Sequence, residues 1–140
     1  MIGNFLCLTL PSFDTNESVA VKTVAEFAKQ LDPSQDELGD IRTSVSEAFR
    51  NCIEYAYPNK AGEVSVKCQV LKHNVLSIVI RDRGKGIENV QQASKPMFST
   101  GGSGHSGMGI TIMETFMDDF KIASTPNGGT TVRMKKRIKG

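Results

Sequence analysis

The sequence predicts an α/β (α+β) two-layer sandwich, with three helices on one face of a mixed, largely antiparallel sheet of about five strands. Two observations predict it. The apolar residues switch period between two and 3.6 along the chain, in the order strand, two helices, two strands, helix, hairpin. A long glycine-rich crossover separates the middle strands from the last helix, so the sheet is assembled from distant parts of the chain. At 140 residues, with 39% hydrophobic and 23% charged side chains, the chain suits one soluble domain over residues 1–140. A chain of that length buries about two-thirds of its unfolded surface.

Each element is readable in turn. In MIGNFLCLTL, Phe5, Cys7 and Thr9 alternate with Leu6, Leu8 and Leu10, the period of a strand. Residues 14–31 carry Ala20, Val24, Phe27 and Leu31 at helical spacing, and Asp14 with Glu17 is a helix-start signal. In DPSQDEL, Pro33 breaks that helix, Ser34 caps a second, and Glu37 completes a capping box. The second helix runs to about Tyr57, with Leu38, Ile41, Val45, Ala48 and Cys52 as its core stripe, and PNKAGE is a turn. Val64, Val66, Cys68 and Val70 alternate with polar residues, as in a strand with one buried face. KHN turns the chain, and the continuous apolar run VLSIVI is expected as a central strand buried on both faces. After the mostly irregular residues 83–107, a helix runs to about Met117, and FKIAS and TTVRMKK form a hairpin through TPNGG. A 25-residue irregular stretch inside so small a domain is unusual and points to a functional lid, at about residues 96–107.

Composition removes several function classes. A net charge of +2 argues against a dedicated nucleic-acid binder. The basic tail VRMKKRIKG alternates Val132, Met134 and Ile138 with charges, the pattern of a strand with one solvated face. No apolar run approaches the roughly 20 residues of a membrane span, and the N-terminus lacks the basic flank and cleavage site of a signal peptide. Cys7, Cys52 and Cys68 are widely spaced on apolar faces, and are expected as buried, reduced thiols of a cytoplasmic protein.

Four groups of residues carry chemistry. Glu47, Asn51 and Tyr55 recur every four positions, on a face separate from the apolar stripe. Glu47 and Asn51 are about 6 Å apart in rise, within reach of one ligand. An Asn amide oxygen suits Mg²⁺, which takes few protein groups, and a carboxylate one turn away can accept a proton from an attacking hydroxyl. The plain alternative is a solvated helix face. In IRDRGKGIENV, Asp82 ends a strand ahead of Gly84, Gly86 and Ile87. A carboxylate at a pocket floor accepts from an exocyclic amine and so prefers adenine to guanine, although Asp-x-Gly-x-Gly is also ordinary turn chemistry. STGGSGHSGMGI packs five glycines into twelve positions, either a connector or a cover over a ligand. GSGHSG matches G-x-G-x-x-G, but no strand precedes it, so the dinucleotide-fold reading is rejected. Walker A is absent too. What stands is a helix opened by Ser106, Gly107, Met108 and Gly109, whose N–H groups suit a phosphate. GGTTV sets Thr130 at the start of the last strand, which is also a common hairpin signature.

In order, Glu-x3-Asn on a helix, Asp-x-Gly-x-Gly after a strand, a lid, Gly-x-Gly into a helix and Gly-Thr into a strand form a specific series. The series resembles the Bergerat-type ATP-binding domain shared by sensor histidine kinases, gyrase and a heat-shock chaperone. NESVAVKTVAEFAKQLDPSQDELGDIRTSVSEAFRNCIEYAYP, IRDRGKGIENVQQASKPMFST and SGMGITIMETFMDDFKIASTPNGGTTVRM look like the anti-sigma F factor family of spore-forming bacteria, over nearly the whole chain. That resemblance implies a homodimer that holds a sporulation-type sigma factor (sigma F) in its ATP-bound state. It also implies a protein-serine kinase acting on a STAS-type anti-anti-sigma factor, with ATP/ADP and Mg²⁺ as cofactors. Glu47 is implied as the base, Asn51 as the metal ligand and Asp82 as the adenine reader. The resemblance further places Tyr55, Gly84, Gly86, Ile87, Thr100, His105, Ser106, Gly107, Met108, Gly109, Ile110 and Thr130 on the nucleotide. It implies no direct nucleic-acid or membrane partner.

Three positions depart from the family's pattern. Tyr55 stands where the family often has His, and Val21 where it typically has Arg on the partner surface. The lid STGGSGHSG offers only His105 where Lys and Arg are often found. A missing preorganised donor costs ~3–4 kcal/mol of transition-state stabilisation, so the lid favours ATP binding over fast phosphoryl transfer. Two other readings use the same residues. One is a nucleotide-gated sigma-binding module with little kinase activity. The other is a histidine kinase ATP domain acting in trans, since His73 and His105 are the only histidines.

Overall fold

A computed structural model describes residues 3–84 and 106–140, with the backbone alone for 106–108. The order is β1 (Phe5–Pro11), α1 (Asp14–Ala28), a 3-10 turn (Lys29–Leu31), α2 (Gln35–Asn51), a π-helical turn (Cys52–Ala56), β2 (Glu63–Leu71), β3 (Val75–Asp82), α3 (Ser106–Phe116), β4 (Asp119–Thr125) and β5 (Gly129–Arg137). The strands form one sheet in the order β1-β2-β3-β5-β4. Every pairing is antiparallel, so among the described residues the expected mixed sheet has no parallel pair. The reason is the final hairpin: β5 returns between β3 and β4, which run in the same direction but never touch as partners. No described helix is long and apolar enough to cross a membrane.

The α2 start is the predicted capping box. The Ser34 hydroxyl accepts from the Glu37 N–H at 3.1 Å, and the Glu37 carboxylate accepts from the Ser34 N–H at 2.9 Å. The same carboxylate also accepts from the N–H groups of Lys139 and Gly140, so the C-terminal residues close over this cap. α1 starts differently. Phe13 is its N-cap with no side-chain bond, and Asp14 is already inside the helix. Glu17 does not reach back; it accepts from Ser46 on α2 at 2.6 Å, and Arg50 lies 3.9 Å away.

The core lies between the helices and one sheet face. Ala20 and Val24 of α1 and Ile41, Val45 and Phe49 of α2 pack over Val64, Val66, Leu76, Ile78, Ile80 and Met134. Because the helices occupy one side only, β3 is buried on alternate residues, and Val75, Ser77 and Val79 on the other face are half-buried. This corrects the expectation of burial on both faces. It also explains Cys7, which is exposed with Phe5 and Thr9, whereas Cys52 and Cys68 are buried as expected. The alternation of β5 continues inward to Lys136, whose ammonium pairs with Asp40 of α2 at 3.2 Å and donates to the Phe116 carbonyl at 2.7 Å. A cation there complements the C-terminal dipole of α3 and anchors that helix to α2.

The β4–β5 turn fixes the site end of the sheet. Gly129 has φ +91°, and a Cβ there would collide with the Asp82 carbonyl oxygen. Gly129→Ala is expected to cost at least about 2 kcal/mol, combining left-handed strain with backbone displacement. Gly128→Ala, whose Cβ would come no closer than 3.1 Å to the Thr125 side chain and 3.5 Å to its carbonyl oxygen, is expected to cost less. Urea unfolding of the two variants checks the difference.

Candidate functional site

Asn51 ends α2, and the next residues widen the helix. The Tyr57 N–H donates to the Cys52 carbonyl at 3.0 Å, an i→i+5 bond. Single π turns often mark functional sites, because the extra residue re-aims the side chains around it. Here Cys52 and Tyr55 turn inward, 4% and 7% exposed. The Tyr57 hydroxyl then straps the helix end to the sheet, donating to the Glu63 carbonyl at 2.8 Å and accepting from the Arg83 N–H at 2.7 Å.

Below this turn lies a pocket of about 460 Å³ including its open mouth. Ala48, Asn51, Cys52, Tyr55 and Ala56 form one wall, and Ile80 and Asp82 come from β3. Ile110 of α3, Ile122 of β4, and Thr130 and Val132 of β5 complete it. Mostly apolar walls with a few aimed polar groups are the usual make-up of a small-molecule site.

Among the described lining residues Asp82 is the charged one, 5% exposed. Its Oδ1 accepts from the backbone N–H groups of Gly84 at 3.0 Å and Thr130 at 3.1 Å. Among the described residues its Oδ2 accepts only from the Cys52 thiol, at 3.6 Å. Burial raises the carboxyl pKa above its usual value, against the opposing pull of the Gly84 and Thr130 N–H groups and the thiol. A carboxylate has about four lone-pair positions, so Oδ2 retains acceptor capacity.

Glu47 and Asn51 meet the start of α3. A Cβ on Gly109 would lie 2.9 Å from the Glu47 Oε2, 3.5 Å from the Asn51 Nδ2 and 3.6 Å from its Oδ1. Glycine is therefore what lets the first turn of α3 approach both side chains. The Asn51 Oδ1 is buried and has no hydrogen-bond partner among the described residues. A buried amide oxygen without a donor is a costly arrangement, and a hard cation relieves it. The described residues contain no cluster of three or more His, Cys, Asp or Glu. A lone amide oxygen of this kind could hold Mg²⁺, which binds through one or two protein oxygens and keeps its remaining ligands as water or phosphate.

The structure thus gathers Asn51, Tyr55, Asp82, Ile110 and Thr130 around one pocket and sets Glu47 beside it at Gly109. Gly84 is adjacent, but its backbone does not have positive φ. It is required because a Cβ there would strike the backbone of Ala56. Ser106, Gly107 and Met108 form the opening turn of α3. Gly86, Ile87, Thr100, His105 and the lid at about 96–107, apart from that turn, lie outside the described residues. Val21 is half-buried in the α1–α2 groove, with Asp14, Glu17 and Arg42. Sequence reasoning missed Cys52 as a site residue, because its place in the core stripe already accounted for it. The one signal was its position next to Asn51, about 100° further around the helix.

Comparison with known proteins places this geometry in context. The family described as "Histidine kinase-like ATPase domain" matches residues 11–136. A protein of Caldanaerobacter subterraneus subsp. tengcongensis named "Anti-sigma F factor" is 47% identical over 97% of this chain and 95% of its own length. Proteins of the same name from Anoxybacillus flavithermus and Clostridium novyi are 45% and 40% identical, over 96% and 99% of this chain and 93% and 98% of theirs. Among solved structures, the RsbU and RsbW domains of a Mycobacterium tuberculosis protein superpose with a TM-score of 0.69 at 18% identity, over 96% of this chain and 32% of that one. The histidine kinase domain of a blue-light activated kinase from Erythrobacter litoralis gives 0.60 at 16%, over 87% and 61%. At such identities the structural likeness speaks to the fold.

Proposed function

This chain belongs to the anti-sigma F factor family of histidine kinase-like ATPases, and on that premise we propose that it is an ATP-dependent protein-serine kinase that also sequesters a sigma factor. In its ATP-bound state it holds a sigma F-like partner, and it phosphorylates a serine of a STAS-type anti-anti-sigma factor. It acts in the cytoplasm, in sporulation, as a homodimer whose exposed β1 edge offers the pairing surface. The whole chain, 1–140, is one domain with a lid at about 96–107. The observation that carries the reading is the convergence of Asp82, Thr130, Asn51 and Ile110, from four separate elements, on one pocket.

In this reading the Asp82 Oδ2 accepts from the exocyclic amine of adenine, while Oδ1 stays held by its two backbone donors. The unpaired N–H groups that open α3 at Ser106–Gly109 receive the phosphates. Mg²⁺, when held by Asn51, neutralises phosphate charge. Glu47 takes the proton of the partner's serine hydroxyl as that oxygen bonds to the γ-phosphorus. The bond from this phosphorus to the β–γ bridging oxygen breaks, and ADP leaves with the electron pair.

Incubation with labelled ATP, Mg²⁺ and the anti-anti-sigma partner is expected to label a partner serine. Asn51→Ala is expected to remove the Mg²⁺ dependence of ATP affinity, measured by calorimetry. Absence of ATP binding by the wild type contradicts the whole reading. Tight ATP-dependent sigma binding without labelling selects the nucleotide-gated module, which the cation-poor lid favours. A histidine kinase using His73 in its own chain is disfavoured by distance. That residue sits in the β2–β3 turn, at the far end of a strand roughly 25 Å long from Asp82.

A further inference from the structure

We infer that the Cys52 thiol is the positioning residue of the purine-reading carboxylate, and thereby sets how well the pocket recognises an exocyclic amine. The inference rests on the reading of Asp82 given above and adds a residue to it. Asp82 carries two oxygens with unlike surroundings: Oδ1 is pinned by two backbone N–H groups, and among the described residues Oδ2 accepts from the Cys52 Sγ alone, at 3.6 Å. Without that contact the described residues leave Oδ2 with no donor, and rotation about the Cβ–Cγ bond is restrained from one side alone. With it, both oxygens are held in a single carboxylate plane. The thiol itself lines the same pocket and is 4% exposed. Its S–H donates to the Asp82 Oδ2.

The arrangement also explains why Asn51 and Cys52 are consecutive. Successive helix residues point about 100° apart, so one dipeptide aims the amide oxygen toward the cation side and the thiol toward the base side. The bond is a weak one and its effect is modest: the net value of a typical hydrogen bond corresponds to roughly threefold to tenfold in affinity.

The test compares ATP with purine riboside triphosphate, which has the same ring, sugar and phosphates but hydrogen in place of the 6-amino group. Calorimetric affinities for both are measured on wild type, Cys52→Ala, Cys52→Ser and Asp82→Asn. Cys52→Ala is expected to weaken ATP roughly threefold to tenfold and to leave the des-amino analogue within about twofold, so the ratio of the two affinities falls. Cys52→Ser, which restores a donor, is expected to restore that ratio. Equal loss of both nucleotides in Cys52→Ala means that the thiol acts through packing alone, and overturns the inference. An unchanged ratio in Cys52→Ala, or a Cys52→Ser ratio that stays at the alanine value, overturns it as well. The underlying site reading fails separately, if Asp82→Asn retains the wild-type preference for ATP over the analogue.

Discussion

Glu47→Ala is expected to lower phosphoryl transfer to the partner serine by roughly 10²- to 10⁴-fold, the usual contribution of a positioned general base, with ATP affinity within about twofold of wild type. The separation follows from where Glu47 stands. It is not among the described residues that line the pocket beside Asp82, so the proposed contact of that carboxylate with a purine does not depend on it. Its Oε2 instead faces Gly109 in the first turn of α3, beside the N–H groups assigned to the phosphates. Asn51 lies one helical turn further on, about 6 Å in rise, so the proposed base and the proposed metal ligand stand at the same end of the site. Glu47→Gln preserves size while removing basicity, and single-turnover labelling of the partner is expected to give the same loss. A glutamine variant that transfers phosphate at the wild-type rate would falsify the role.

Asp82→Asn is expected to weaken ATP by roughly 10- to 100-fold, the value of a hydrogen bond to a charged group, while leaving the protein as stable as wild type or more so at neutral pH. The asymmetry comes from burial. Burial raises the carboxyl pKa of Asp82 in the native state, against the pull of its N–H and thiol partners. The native protein therefore holds this proton more tightly than the unfolded chain does. Stability linked to the group is fully present below the unfolded value of about 3.9 and is lost as pH rises through the raised native value. An asparagine has no charge to bury, so the stability difference, variant minus wild type, is expected to grow in the variant's favour between pH 4 and pH 7. Urea unfolding at the two pH values checks the sign. A difference that shrinks instead means that the carboxylate is held for its hydrogen bonds and not at a desolvation cost.

Local rules were readable wherever a few adjacent residues decide the outcome. Ser34 and Glu37 close their capping box as spaced, and Leu38, Ile41, Val45, Ala48 and Cys52 are all buried. Asp14 and Glu17 carry the same kind of signal, yet Glu17 turns to Ser46 and Arg50 across the α1–α2 contact. A partner 29 positions away outcompetes a local cap, and no window along α1 records it. The apolar run of β3 misled for a related reason. Period describes a strand's own side chains, but whether its second face is covered depends on where the helices go. They all lie on one side, so Val79 and Cys7 belong to the uncovered face.

By itself the sequence determined the order and type of the elements and the covered faces of the first two helices, and it offered candidate residues for reading a purine, holding a cation and accepting a proton. These depend on spacing within one element, which the chain carries explicitly. Only the tertiary structure decided that β5 lies between β3 and β4, that a π turn swings Cys52 and Tyr55 inward, and that Gly109 meets Glu47 and Asn51. The first and last of these are contacts between segments far apart in sequence, and the π turn is strapped to the sheet by the Tyr57 hydroxyl through Glu63 and Arg83. Which oxygen of Asp82 faces which donor follows from three such segments packing at once, and no single stretch of the chain holds that information.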